Sequence, residues 1–262
     1  MLIMKSRRES KVGDARLEDA AAAQGPEHIP TGAFPIVELR QYTLHDGMRD
    51  SLIGLFEREF VESQEAVDMN VIGTFTDLDR PNRFVWLRGF RDMGSRLAGL
   101  GAFYSGQAWL NHREEANATM IDSDNVLLLR TGRSSPWLSE GTSRPLPGER
   151  KEAGLIVATI EYLSSGTTPA LTIFETKVKP ELERCGIFPI AWLATEQSPN
   201  NFPRLPVREG EQVLVWLVRF SSETEHRDHQ LSMDQAGAAL STLRARAPEF
   251  LRLAPTTRSA LR

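Results

Sequence analysis

One pattern of residues runs through this chain twice, and a chain that repeats itself has few folds open to it. Ile36-Val37-Glu38-Leu39-Arg40-Gln41-Tyr42 reads as a strand. Asp46-Gly47 then introduces a helix whose apolar residues Met48, Leu52, Leu55, Phe56 and Phe60 fall at helical spacing. Val71-Ile72-Gly73-Thr74-Phe75 and Phe84-Val85-Trp86-Leu87-Arg88-Gly89-Phe90 read as strands either side of a turn rich in Asp, Pro and Asn. A helical stretch from about Met93 to Met120, interrupted near Ser105-Gly106, leads through the turn Asp122-Ser123-Asp124-Asn125 to a strand over 126–129. The order β-α-β-β-α-β is that of a ferredoxin-like unit.

The pattern then starts again. Tyr42 aligns with Tyr162, Phe56-Glu57 with Phe174-Glu175 at an offset of 118, and Val85-Trp86-Leu87 with Val215-Trp216-Leu217 at an offset of 130. The twelve extra residues fall in the Pro- and Asn-rich loop between Gln197 and Gly210, where an insertion costs little. Residues 34–130 thus form a first unit and 154–262 a diverged second one, joined by a linker over 131–153 that is broken by Ser, Pro and Gly. Residues 1–33 are polar and Ala-rich, without a sustained apolar stripe, and read as a mobile arm. Each unit covers one sheet face with two helices and leaves the other bare, and the bare face must be buried. The expected fold is α+β: two ferredoxin-like repeats whose sheets pack face to face as one α+β barrel. Two independent domains are the alternative.

Composition removes whole classes of function. Lys+Arg 31 against Asp+Glu 35 gives a net charge of −4, so no basic field draws the chain to nucleic acid or anionic lipid. No segment approaches the roughly 20 apolar residues of a membrane helix, and no secretory or mitochondrial leader is recognisable at the start. The single cysteine, Cys185, cannot close an intrachain disulfide. These features point to a cytoplasmic protein. There is no P-loop, dinucleotide fingerprint, zinc-protease motif or nucleophile elbow. Asp122, Asp124 and Asn125 lack calcium-loop spacing, and His226 with His229 lack a third ligand, so no metal is expected.

Glu38-Leu39-Arg40-Gln41-Tyr42, the Phe84–Phe90 strand, Phe103-Tyr104 with Trp109 and Arg113, and Asp122-Ser123-Asp124-Asn125 with Val126 resemble the NIPSNAP family over about residues 35–130. The second half looks like a diverged copy, as in a tandem-repeat, bacterial-type member. The resemblance implies the dimeric α+β barrel fold. It says little about chemistry, because relatives by fold include cofactor-free monooxygenases, polyketide cyclases, haem-dependent dehydratases and chlorite-degrading enzymes.

The repeat itself points to candidate residues. Glu38, Arg40 and Tyr42 share one side of a strand, and Trp86 and Arg88 share one side of another. Aligned by the repeat, Glu38 meets Ala158, Arg40 meets Ile160 and Arg88 meets Val218, so the first half holds charges where the second is apolar. Buried charges are expensive unless paired, and an unneeded set should drift to apolar residues. The functional reading is a pocket in the first half. There Arg40 or Arg88 would hold an anionic or enolate oxygen, with Glu38 as ion-pair partner or base. The bland reading is a structural Glu–Arg pair at the sheet rim. Trp109, His112 and Arg113 lie along one side of a helix near Tyr104, and Trp109 and His112 have no counterpart in the second half. His112 or Glu38 would take a proton, and Arg40, Arg88 or Tyr104 would stabilise the anion. Tyr42, Trp86, Phe103, Trp109 and Arg113 would bind the substrate.

Two functions stand against each other. One is a small-molecule enzyme without a cofactor, performing isomerisation, cyclisation, elimination or oxygenation of an enolate. A haem variant of it would use His112 as axial ligand. The other is a non-catalytic ligand-binding or scaffold protein. An enzyme requires Arg40, Arg88 and His112 to converge on one concave pocket. A homodimer through helix faces or edge strands stays open.

Overall fold

Alternation along the first strand sets the architecture. In β1 (Ile36–Leu44) the residues Val37 and Leu39 join one apolar cluster, while Ile36, Tyr42 and Leu44 join another on the opposite face. The computed structural model describes residues 34–136, 138, 143–149 and 154–262. The arm expected at residues 1–33 and parts of the expected linker lie outside the described residues.

After β1 come α1 (Arg49–Leu55), a π-helical turn (Phe56–Phe60) and α2 (Val61–Glu65). Strands β2 (Asn70–Asp77) and β3 (Arg83–Phe90) follow, then α3 (Met93–Ser105), α4 (Gln107–Thr119), the short β4 (Met120–Asp122) and β5 (Val126–Thr131). The second half runs through β6 (Leu155–Leu163), α5 (Thr167–Ile173), a π-helical turn (Phe174–Val178), α6 (Lys179–Arg184), β7 (Pro189–Thr195) and β8 (Gln212–Phe220). It ends with α7 (Glu223–Gly237), a 3-10 turn (Ala238–Leu243) and β9 (Glu249–Pro255). The two π-helical turns, a rare conformation, begin at Phe56 and Phe174. Likewise α3 and α7 are capped at equivalent positions: the side chains of Asp92 and Ser222 accept hydrogen bonds from Ser95 N and Glu225 N.

All strand pairs are antiparallel. The order β3-β2-β9-β6-β8-β7-β5-β1 returns on itself through the β1–β3 pair, so eight strands close a barrel and β4 adds to the end of β1. Both halves contribute to the filled interior: Val37, Leu39, Val85 and Leu127 from the first, Ile156, Ile160, Val215 and Leu251 from the second. A barrel of eight strands is just wide enough for its own side chains. Any sizeable cavity must therefore lie outside the wall, beneath the helices. Outer-face clusters occupy that position in both halves, around Trp86 in the first and around Trp192 and Trp216 in the second. No helix among the described residues is long and apolar enough to cross a membrane.

The cross-strand register corrects the pairing of the halves by one residue. Glu38 sits opposite Arg88 and Arg40 opposite Trp86; the matching pairs are Val157 with Val218 and Thr159 with Trp216. Glu38 therefore corresponds to Val157, Arg40 to Thr159 and Tyr42 to Glu161, and not to Ala158, Ile160 and Tyr162. The turn after β1 is one residue longer than the turn after β6, and a slip of one flips a side chain to the other face. Tyr162 accordingly joins the interior cluster, while Tyr42 lies under the helices.

Candidate functional site

Outward-facing positions on β1 and β3 create an unusual charge cluster. Glu38, Arg40, Arg88 and Arg96 are each 0% exposed. Glu38 Oε2 accepts from Arg40 Nη1 at 2.9 Å and from Arg88 Nη2 at 2.6 Å, while Oε1 accepts from Arg96 Nε at 2.8 Å. Burial alone would raise the Glu38 carboxyl pKa, but the guanidiniums of Arg88, Arg40 and Arg96 outweigh it and hold the group well below the usual carboxylate range. Glu38 is thus a fixed anion with both oxygens engaged. One carboxylate faces three guanidiniums, and no other carboxylate pairs with any of the three among the described residues. The cluster buries a net charge of +2.

Arg40 Nε donates to the Tyr42 hydroxyl oxygen at 3.0 Å, and Arg88 Nη1 donates to Gln64 Oε1 at 2.9 Å. Tyr42, Gln64 and Arg88 line a cavity of about 240 Å³ between the barrel wall and helices α1 to α4. Its walls are Phe56, Phe60, Trp86, Phe103, Tyr104 and Trp109, with Ala116, Asn117 and Met120 from α4. The π-helical turn sets Phe56 and Phe60 in the wall together, their rings edge-on at 6.0 Å. The break at Gly106, whose backbone is extended between α3 and α4, brings Tyr104 and Trp109 to 5.0 Å. Burial raises the Tyr42 pKa, with Arg40 acting against it, so Tyr42 keeps its proton at neutral pH and can donate it.

The second half closes the cavity from the side. The β7–β8 loop, twelve residues longer than its counterpart, lays Phe202 on Tyr104 with nearly parallel rings 6.0 Å apart. Phe202, Arg204 and Leu205 line the cavity. Asn200 and Asn201 accept from Arg96 Nη1 at 3.0 and 2.7 Å, so Arg96 ties the loop to Glu38. Among the described residues of the second half, the matching outer-face positions carry a different set of side chains. Val157, Val218, Leu182 and Trp192 stand where the first half has Glu38, Arg88, Gln64 and Thr74, and they form core.

Of the candidates, Glu38, Arg40, Arg88 and Tyr42 come together beneath Trp86, Phe103, Tyr104 and Trp109. His112 and Arg113 do not join them. His112 Nε2 lies 3.5 Å from Glu59 Oε2 and Nδ1 3.7 Å from Glu115 Oε2. Arg113 is exposed on α4, and neither residue lines the cavity. Both lie along the helix side holding Trp109 and Ala116, but a helical stripe wider than the cavity extends past its edge. Accordingly, His112→Asn should leave ligand affinity in this pocket within about twofold by calorimetry, as for a partly exposed pair. Sequence reasoning missed Gln64, Arg96 and the loop residues. Only the extra length of the 197–210 loop signalled that something is built there. Trp86 Nε1 is buried without a hydrogen-bond acceptor, but so is Trp216 Nε1, which makes it a feature of both halves.

Fold and cavity define an α+β barrel with an aromatic, arginine-bearing pocket outside its wall in the first half. Residues 37–136 match the NIPSNAP family model, and this part of the chain is a NIPSNAP domain. Among solved structures, a candidate monooxygenase from Fusobacterium nucleatum is similar at 11% identity, over 86% of this chain and 93% of that one, with a TM-score of 0.55. An anthrone oxidase-like protein is similar at 11% identity, over 87% and 94% of the two chains, with a TM-score of 0.54. A NIPSNAP-family protein of unknown function from Agrobacterium tumefaciens matches at 19% identity, over 40% of this chain and 96% of its own, with a TM-score of 0.37. No curated protein matches the sequence.

Proposed function

We propose that the protein is a small-molecule enzyme that needs no cofactor and acts on a planar substrate bound as its enolate or phenolate. We also infer that its two halves are a tandem pair of ferredoxin-like repeats, of which the first keeps the site. The observation that carries the reading is the wholly buried cluster of net charge +2 beside an aromatic cavity. Burying unbalanced charge costs several kcal/mol, so the cluster favours an anion in the cavity. The substrate oxygen would take hydrogen bonds from Arg88 and from the Tyr42 hydroxyl, which Arg40 polarises. Aromatic walls would hold the ring plane. An engineered cavity of about 150 Å³ takes benzene, so 240 Å³ suits a substrate of one or two rings.

Among the described residues the cavity lining holds no carboxylate and no histidine, and Glu38 is held as a permanent anion, so none of them stands over the substrate as a general base. Isomerisation, cyclisation and elimination ask for one. Oxygenation of an acidic carbon does not, once the field of the arginines has ionised the substrate and its proton has left to solvent. The substrate carbanion then bonds to dioxygen and forms a peroxide anion. A proton returns, water leaves with one oxygen atom, and the other stays as a ketone. The CH₂ group supplies all four electrons, so no reductant is required. The names of the similar structures are compatible with that chemistry. A haem version through His112 finds no support, since that imidazole is turned to Glu59 and Glu115. The barrel closes within one chain, so a homodimer is not needed to form it.

The test uses 2-naphthol, whose neutral and ionised forms absorb differently. Bound to the protein, its pKa should fall by about 1–2 units, the usual effect of opposite charge within a few ångströms. Arg88→Met should abolish the shift while the circular dichroism spectrum stays unchanged. Binding in the neutral form, or a raised pKa, would sink the proposal.

A further inference from the structure

Among the described residues the lining of the cavity contains two charged side chains, and both are arginines. Arg88 is wholly buried at the inner end, and Arg204 is exposed at the mouth. Arg88 is engaged with Glu38, whereas Arg204 makes no ion pair among the described residues. A solitary surface arginine would mean little, but the chain around this one is built.

The β7–β8 loop is stitched to the barrel at both ends: Glu196 N donates to Leu128 O at 3.0 Å and Arg208 N to Val126 O at 2.8 Å. At its tip, Leu205 N donates to Phe202 O at 3.0 Å, closing a four-residue turn with Pro203 at the second position and Arg204 at the third. Proline at that position presets the turn. Asn200 braces it, accepting from Phe202 N at 3.1 Å and donating to Leu205 O at 3.0 Å. Phe202 stacks on Tyr104 on one side of Arg204, and Leu205 enters the cavity on the other. The loop belongs to the second half and therefore holds Arg204 at the cavity of the first.

We infer that the ligand carries a second acidic group, a carboxylate or its equivalent, at the end opposite its ionised oxygen, and that Arg204 reads it. The ligand class is a one- or two-ring aromatic acid: enolate or phenolate oxygen inward on Arg88 and Tyr42, carboxylate outward on Arg204. This rests on the anion-binding reading of the pocket given above. It also accounts for the absence of Asp and Glu from the lining, since a carboxylate at the mouth would repel such a ligand. The guanidinium fork is suited to a planar carboxylate.

The experiment compares 2-naphthol with 6-hydroxy-2-naphthoate by isothermal titration calorimetry, on the full chain, in the wild type, Arg204→Ala and Arg204→Glu. Arg204 is exposed and makes no ion pair among the described residues, so both variants should fold. The wild type should bind the naphthoate about fivefold tighter at low ionic strength, the scale of a partly exposed charge pair. The preference should shrink at high salt. It should vanish in Arg204→Ala and reverse in Arg204→Glu, the loss of affinity in each variant falling several-fold more on the naphthoate than on 2-naphthol. Equal affinities in the wild type, or a preference that survives Arg204→Glu, would overturn the inference and leave the anion pocket standing. Failure of both naphthols to bind would overturn the pocket reading as well.

Discussion

Glu38→Gln should destabilise the protein by about 3–5 kcal/mol at neutral pH, the range for removing one partner from a buried ion pair. Glutamine keeps the shape, but the charge that offsets Arg40, Arg88 and Arg96 is gone, and none of the three can reach water. The effect also has a pH signature. The folded carboxyl titrates far below its ordinary value of 4.5, so unfolding takes up a proton at acid pH. Its contribution is therefore complete above about pH 4.5 and is lost as the pH falls toward the folded value. Urea denaturation of wild type and variant at neutral and acid pH checks this. Other carboxylates with lowered pKa values, such as Asp79 and Glu196, add slopes of their own, and the difference between the two proteins removes them. The gap should narrow as the pH falls. A constant gap would mean that Glu38 is not the ionised centre of the cluster.

That cluster was partly legible in the sequence, and the reason it was only partly so is physical. Period-two alternation put Glu38, Arg40 and Tyr42 on one face, and that holds. The contrast with an apolar second half holds for Glu38 against Val157 and Arg88 against Val218, but Arg40 and Tyr42 meet Thr159 and Glu161, which are polar. The element order was equally plain, because apolar spacing along each strand and helix is a local property. Partnership across the chain is not local. Arg96 sits in α3 with nothing in its neighbourhood to say that it reaches Glu38, 58 residues earlier. His112 illustrates the converse: its helical stripe was read correctly, but where a stripe ends against a cavity depends on how α4 packs on α1. The one-residue error in matching β1 to β6 arose because Tyr42 and Tyr162 look alike, while turn length, which sets the register, leaves no signature in residue type. The β7–β8 loop was seen only as surplus length. A loop that crosses to the other half is invisible until the barrel closes.

Closure also divides the labour between the halves, and two tryptophans make the division measurable. Trp192 is fully buried among Phe174 and Trp216, with ring centroids 5.5 Å from Phe174, and its Nε1 donates to Glu175 Oε1 at 2.9 Å. It stands at the position that Thr74 holds in the first half, where the Thr74 and Thr256 hydroxyls are hydrogen-bonded at 2.6 Å. Trp192→Ala should therefore cost about 3–5 kcal/mol of stability, as for large-to-small changes in a packed core, and leave the affinity for 2-naphthol unchanged. Trp109 is only half-buried and forms a cavity wall against Phe60, Phe103 and Tyr104. Trp109→Ala should cost only about 1 kcal/mol of stability yet weaken naphthol binding about tenfold, the upper range for one aromatic contact. Urea denaturation and calorimetry on the same two variants read both effects. A core residue and a pocket residue must separate on these two axes. If Trp192→Ala weakens the ligand as much as Trp109→Ala does, the second half is part of the binding site by more than its loop, and the confinement of the pocket to the first half is wrong.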